Sequence, residues 1–431
     1  MEDPASRAAP VAGAPPRVRS RATVIGLCWL AIVVDGYDLI VYGSVLPALL
    51  RGEWQLTAAE GGRIGAAALV GMLLGALVAG YLTDRIGRRR LMVLCIAWFS
   101  VAMGLSALAP IPELFLLTRF VAGIGLGGVV PTAIALTVEF APPGRRNAAN
   151  ALMFSGYSVG GVLAALGGIV MIEALGWRSM FWTGALVGAV LVVVVWALMP
   201  ESVVYLVGRG RQQEAAEVAA RYGMDVPEPV AGRTGGGLRE LLAHRNRVGT
   251  FLFWGGTAAG LLLVYGLNTW LAQIMRQAGY PLGPALGFLL ALNLGAILGA
   301  PLFGTLADRI GPRPVVTGMF LAAAGSILLL MVPLPTVLLL SLVAVAGACT
   351  IGTTIIVNSY TATFYPEHLR AVGLSWALGV GRLGAIAGPL YGGLIMSVGW
   401  GFQANFLAFA IPAVIGAVLM ALVPGRATAG S

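Results

Sequence analysis

Four ionisable residues stand inside otherwise apolar stretches: Asp35, Asp38, Arg119 and Arg382. Asp35 and Asp38 lie three apart in Asp35-Gly36-Tyr37-Asp38, a spacing that puts both carboxylates on one helix face. The run that holds them, about 22–50, is long enough to cross a bilayer as one helix. A charge at the bilayer centre costs roughly 3 kcal/mol on insertion scales, so such residues usually face a cavity and carry function. Burial disfavours the charged form of a carboxylate, and a neighbouring arginine favours it. A carboxylate held between those tendencies can load and release a proton as helices move. Arginine stays charged and grips a carboxylate through two parallel hydrogen bonds, so Arg382 and Arg119 are the candidate partners for an anion. The expected chemistry is proton-coupled movement of an organic anion. Asp35 and Asp38 would carry the proton, and no cofactor beyond the proton is called for.

The elements around these residues must be membrane helices. The 431-residue chain is 58% hydrophobic and only 10% charged, with a mean hydropathy of +0.88; soluble domains carry about 25% charged residues. Apolar spans recur at about 22–50, 61–83, 91–109, 113–140, 147–172 and 177–199. They resume at about 248–276, 284–307, 314–333, 336–364, 371–397 and 400–423. That makes an all-α integral membrane protein of twelve transmembrane helices in two sets of six. Residues 22–199 form the N-terminal six-helix bundle and 248–423 the C-terminal one. Residues 200–247 form a cytoplasmic linker, with a short helix at 211–218 and a flexible stretch at 225–237. Residues 1–21 read as a disordered cytoplasmic tail and 424–431 as a C-terminal tail.

The net charge of +9 rests on 27 basic residues, all arginine. With both termini cytoplasmic, the inner segments collect Arg17, Arg19, Arg21, Arg85, Arg88 to Arg90, Arg145, Arg146, Arg309, Arg313, Arg370 and Arg426. The outer loops hold only Arg51, Arg63, Arg178 and Arg276. This asymmetry follows the positive-inside rule. It makes the basic excess topological, so the charge points to a lipid bilayer and not to nucleic acid. Cys28, Cys95 and Cys349 sit in apolar segments without metal-ligand spacing, and His244 and His368 lie in loops. The sequence offers no metal site and no nucleophile–base constellation, which disfavours an enzyme.

The two halves repeat. Gly80-Tyr-Leu-Thr-Asp84-Arg85-Ile86-Gly87 matches Gly304-Thr-Leu-Ala-Asp308-Arg309-Ile310-Gly311 at an offset of 224 residues. The same offset carries Gly71, Gly75, Gly123 and Gly128 onto Gly295, Gly299, Gly347 and Gly352. It also carries Phe140, Pro142 and Arg146 onto Phe364, Pro366 and Arg370. Parallel six-helix repeats are the plan of a two-bundle transporter with its site at the midplane between them. Scaffold residues should have partners at this offset, and site residues need not. Asp35 falls opposite Ala259, Asp38 opposite Leu262, Arg119 opposite Val343, Glu139 opposite Thr363 and Arg382 opposite Ser158. The intramembrane charges thus break the symmetry that the loop Asp and Arg pairs keep.

At about 1.5 Å per residue, Asp35 lies roughly 20 Å from the inner start of the first span, and Arg382 roughly 17 Å up the eleventh. Arg119 sits about 9 Å below the outer end of the fourth span, near the level of Asp38. Matched depth allows two pairs, Asp38 with Arg119 and Asp35 with Arg382, and leaves open which aspartate meets which arginine; a static ion pair between helices is the alternative role for each. Tyr37, Tyr42, Tyr265, Asn268, Trp270, Asn293, Asn358 and Tyr360 are candidate cavity-lining residues, each with helix packing as its alternative. Gly80, Asp84, Arg85, Gly87, Arg88, Glu139, Arg146, Gly304, Asp308, Arg309 and Arg370 are the expected cytoplasmic gate. There, Gly80 and Gly304 would permit close helix approach, and Asp84 or Asp308 would hold a helix N-terminus or an Arg across the interface.

GYLTDRIGRRR at 80–90, its weaker copy at 304–313, Arg119-Phe-Val-Ala-Gly123-Ile-Gly125 and Pro200-Glu201-Ser202 resemble the signatures of the major facilitator superfamily. Within it, Asp35-Gly36-Tyr37-Asp38, Tyr365-Pro-Glu-His-Leu-Arg370 and Gly379-Val-Gly-Arg382-Leu-Gly-Ala-Ile-Ala-Gly388 resemble the aromatic acid:proton symporter family. The Gly266-Leu-Asn268-Thr-Trp270-Leu-Ala-Gln273 stretch departs from the sugar-porter pattern of paired glutamines. The resemblance implies a monomeric carrier in a bacterial inner membrane, taking up a small aromatic carboxylate such as a benzoate or hydroxybenzoate by alternating access. The alternative is a carrier of the same superfamily for a sugar, a non-aromatic organic acid or a drug leaving the cell.

Overall fold

The computed structural model describes residues 20–52, 54–227 and 237–424. Most of the expected N-terminal tail, the flexible stretch within 225–237 and the C-terminal tail lie outside the described residues.

The chain forms α1 (Arg21–Arg51), α2 (Ala58–Ile86), α3 (Arg88–Leu108), α4 (Pro112–Phe140), α5 (Arg146–Leu175) and α6 (Arg178–Leu198). Three short helices follow: α7 (Val203–Gly208), α8 (Gln212–Tyr222) and α9 (Leu238–Leu241). The second half holds α10 (His244–Gln277), α11 (Leu282–Ile310), α12 (Pro312–Leu329), α13 (Thr336–Phe364), α14 (Glu367–Ser397) and α15 (Gly401–Ala421). Twelve of these are long and apolar enough to cross a membrane, among the described residues. They coincide with the twelve spans read from the sequence. The short helix expected at 211–218 is α8, while α7 and α9 have no periodicity long enough to announce them.

Local chemistry sets the helix ends. Ser20 Oγ accepts a hydrogen bond from the Ala22 amide at the start of α1. Thr57 and Glu60 form a reciprocal capping box at the start of α2. The tight α2–α3 and α11–α12 turns run through Gly87 (φ +91°) and Gly311 (φ +89°), a backbone region closed to most side chains. These two glycines stand 224 positions apart, so the repeat is present in backbone geometry as well as in letters.

The repeat extends to packing. Within the first bundle, a Cβ on Gly71 would lie 2.1 Å from the Phe120 carbonyl oxygen. One on Gly75 would lie 2.1 Å from that of Ile124, and one on Gly123 2.0 Å from that of Ala68. In the second bundle a Cβ on Gly295 would meet the Ala344 oxygen at 1.9 Å, one on Gly299 the Ala348 Cβ at 2.5 Å, and one on Gly347 the Leu292 oxygen at 1.8 Å. Every one of these contacts maps onto its counterpart at the same offset. Missing side chains let α2 pack on α4, and α11 on α13, backbone to backbone.

The bundles meet along α1 with α10, α2 with α14, and α5 with α11. The close contacts gather toward one membrane face: Gly43 against the Asn268 carbonyl, Gly62 against that of Pro389, Gly168 against Leu286 and Gly393 against Ala58. Toward the opposite, Arg-rich face, a Cβ on Gly80, Gly304 or Gly379 would meet nothing within 4 Å. The molecule is closed at the Arg-poor end and open at the Arg-rich end. Gly80 and Gly304 therefore do not mediate close helix approach in this conformation, contrary to the expectation.

Candidate functional site at the bundle interface

The DGYD stretch sits on α1 against α5. A Cβ on Gly36 would lie 2.3 Å from the Tyr157 carbonyl, and one on Gly160 would lie 2.2 Å from that of Val33. This tight pairing fixes the rotation of α1 and turns its two carboxylates to different surroundings.

Asp38 is fully buried, and its Oδ1 accepts a hydrogen bond from Arg119 Nη1 at 2.6 Å. Arg119 Nη2 also donates to the Asp38 carbonyl at 3.0 Å, so one guanidinium holds both side chain and backbone. The guanidinium carbon lies 5.6 Å from the Phe181 ring centroid. Phe181 belongs to a cluster with Phe115, Trp54 and Trp177, whose rings meet at 5.0–5.9 Å and exclude water from this side. Of the two pairs that depth allows, Asp38 with Arg119 is a contact in this structure. Asp38 Oδ2 and Arg119 Nε remain without partners.

Asp35 is 1% exposed, and its Oδ1 has no hydrogen-bond partner. Arg382, on α14 of the other bundle, is close enough to act on Asp35 through space, but among the described residues the two make no ion pair. The second pair that depth allows is therefore not a contact in this conformation. Tyr157 from α5 and Tyr265 from α10 meet there with ring centroids 6.4 Å apart at 76°. The sequence reading named Tyr265 and missed Tyr157, whose only signal was its place in the Gly-rich α5 opposite Gly36.

Most of the other expected lining residues are committed to packing. Tyr37 donates to the Met180 carbonyl at 2.9 Å, and Tyr42 to that of Gly61 at 2.6 Å. Trp270 is fully buried and donates to the Pro389 carbonyl at 2.9 Å. Tyr360 packs edge-on against Phe253. Asn293 donates to Asn268 Oδ1 at 3.1 Å and leaves its own Oδ1 unpartnered beside Gly161. The donors of Tyr37, Tyr42, Trp270 and Asn293 satisfy backbone carbonyls toward the closed end, where unpaired ones would be costly, while Tyr360 packs near the Arg-rich end. Only Tyr265 and Asn358 stay half-buried, and Asn358 Oδ1 has no partner.

The Arg-rich end differs from the expected gate. Glu139 accepts from Arg88 Nη1 at 2.6 Å, from Ser202 Oγ at 2.7 Å and from the Val203 amide at 2.5 Å. All these partners belong to the first bundle or to α7, so Glu139 and Arg88 bind the linker to the bundle that carries them. Glu201 accepts from the Arg89 amide at the start of α3, beside Gly87. The Arg85 carbonyl accepts from Tyr205 and Arg209. Asp84, Asp308, Arg146, Arg309 and Arg370 are exposed and make no ion pair among the described residues. Cross-bundle contacts by these charges are absent because the bundles are apart at this end.

Two parallel helical repeats, with Asp35, Asp38 and Arg119 the buried charges among the described residues and all on the first repeat, define a membrane transporter fold. Residues 28–314 and 282–430 match the Major Facilitator Superfamily, and the chain belongs to it. A benzoate transport protein from Acinetobacter baylyi is 36% identical over 418 residues, covering 94% of this chain and 89% of that protein. A gentisate transporter from Corynebacterium glutamicum is 37% identical over 409 residues, covering 94% and 87%. A solved structure of a bacterial homologue of the human lysosomal transporter Spinster, in an inward-facing and unoccupied conformation, superposes with a TM-score of 0.75. It shares 18% identity, covering 94% of this chain and 96% of that one. The superfamily and these relatives make the chain a transporter and not an enzyme.

Proposed function

We propose that the protein takes up a small aromatic carboxylate together with protons across a bacterial inner membrane. The observation that carries the coupling is the contrast on α1: Asp38 is locked to Arg119, while Asp35 is buried, unpartnered and faced across the interface by Arg382. The substrate class is supported by relatives named for benzoate and gentisate. With the Arg-rich end in the cytoplasm, the conformation is open inward. Arg382 would receive the substrate carboxylate, Tyr157 and Tyr265 its ring, and protonation of Asp35 would free Arg382 for the anion. Asp38 with Arg119 would hold the neighbouring charge in register, or relay the proton. The rocking of one bundle past the other would close Gly80 and Gly304 against their facing helices and open the Gly43 and Gly62 contacts.

The test is uptake of labelled benzoate, hydroxybenzoates, a sugar and a dicarboxylate into proteoliposomes, with and without an inward proton gradient. Gradient-dependent accumulation of the aromatic acids alone is expected. Accumulation that ignores the proton gradient, or that favours the sugar or the dicarboxylate, would overturn the reading.

A further inference from the structure

Away from the bundle interface, a cavity of about 550 Å³ lies at the Arg-rich end between α3, the end of α6 and the linker helices α7 and α8. Its volume is in the range of sites that hold small ligands, about 300–1,000 Å³. Four arginines line it: Arg89, Arg90, Arg211 and Arg221. Two carboxylates line it as well, and both are engaged. Glu201 accepts from the Arg89 and Ser202 amides, and Glu214 holds Arg211 through two hydrogen bonds at 2.5–2.6 Å. Arg90 and Arg221 make no ion pair or hydrogen bond with the described residues. Arg89 is pinned by the Trp196 carbonyl, with its guanidinium over the Trp196 ring, and its Nε is buried without an acceptor.

The surface-flank explanation for such arginines is topological charge spread over the bilayer edge. Here they converge on one concavity, and Arg90 and Arg221 bring to it two guanidinium groups with no acceptor among the described residues. The cavity also adjoins the lipid-facing surface. Trp196 is 55% exposed and Leu198 is 43% exposed at the end of α6, where an aromatic ring marks the interfacial level of a bilayer.

We propose that this cavity binds a phosphate group, presented by the headgroup of an anionic phospholipid. Basic pockets at the cytoplasmic side of transmembrane helices have this chemistry, and guanidinium forks match phosphate oxygens in pairs. Arg90 and Arg221 supply the free charge. Because Arg90 lies on α3 and Arg221 on α8, an occupant clasps the linker to the first bundle in addition to the Glu139 contacts.

The test uses the full-length protein in detergent, titrated separately with phosphatidylglycerol, phosphatidylcholine and inorganic phosphate. Thermal unfolding and native mass spectrometry of retained lipid are the readouts. Phosphatidylglycerol should raise the unfolding midpoint and remain bound, and phosphatidylcholine should do neither. The doubly substituted Arg90→Gln/Arg221→Gln protein should bind it about thirtyfold more weakly, from about 1 kcal/mol per basic residue. Arg90→Lys/Arg221→Lys should restore part of the effect, which separates lost charge from a damaged fold. A response to inorganic phosphate that the double substitution abolishes, with none to either lipid, supports the phosphate site and overturns the lipid source. Equal phosphatidylglycerol binding by native and doubly substituted protein overturns the proposal.

Discussion

Arg119 grips Asp38 at 2.6 Å on one side of α1, while Asp35, one helical turn away, keeps an oxygen with no partner in an equally buried place. One carboxylate is structurally compensated and its neighbour is not. The two aspartates should therefore respond in opposite ways to the same substitution.

Asp38→Asn leaves the Arg119 charge buried and unpaired. Removing one member of a buried pair typically costs about 3–5 kcal/mol, so the unfolding midpoint in detergent should fall by several degrees. Asp35→Asn removes a charge that has no partner and should leave the midpoint unchanged or raise it. Equal losses from both substitutions would contradict the geometry.

Under the proposed coupling, Asp35→Asn should abolish uphill accumulation while substrate exchange down its own gradient continues. Proteoliposomes with and without an imposed proton gradient separate the two activities. Undiminished accumulation by this variant would remove Asp35 from the proton path.

Gly43→Ala places a methyl group where the Asn268 carbonyl lies 1.9 Å away. The closed end cannot then seal, and the protein should shift toward the opposite opening. Cysteines introduced near Trp54 or Tyr280 should label faster with a membrane-impermeant maleimide. The background is low because Cys28, Cys95 and Cys349 are all buried.

Gly80→Ala and Gly304→Ala meet nothing in this conformation, so thermal stability should hold. If these glycines make close contacts in the other conformation, turnover should fall several-fold with substrate binding intact. Unchanged turnover would mean that these two glycines never approach their facing helices.

Glu139→Gln weakens the Arg88 pair and the cap on α7. Loss of charged hydrogen bonds of this kind costs about 1.5–3 kcal/mol. Hydrogen exchange should rise through α7 and α8 while α10–α15 stay protected. An even rise across both bundles would argue against a local clasp.

The twelve helices were legible because each is a long apolar run closed by Arg, Gly or Pro, and because the 224-residue offset aligned two copies. Helix depth was legible too, since a rise of 1.5 Å per residue put Asp38 level with Arg119. The conformation was not. Gly80 and Gly304 have the composition of a contact, but which contacts are made depends on the relative placement of two bodies that no local pattern encodes. Most of the cavity-lining candidates are tied into packing here for a related reason. Tyr42, Asn268 and Trp270 are polar or aromatic on apolar helices, and the sequence does not say whether their hydrogen bonds end on a substrate or on a neighbouring carbonyl. Glu139 showed the same ambiguity, since its partners, Ser202 and the α7 amides, lie more than sixty residues away.

The contact between Gly36 and Tyr157 bears on where the coupling stroke can occur. With α1 seated against the α5 backbone, Asp35 has no freedom to slide or swivel by itself, and its distance to Arg382 is set by the relative position of two rigid blocks. Such an arrangement works like an electrical relay with one fixed terminal: the gap is either held open or driven shut by the frame, and no flexible arm is needed to carry the charge between them.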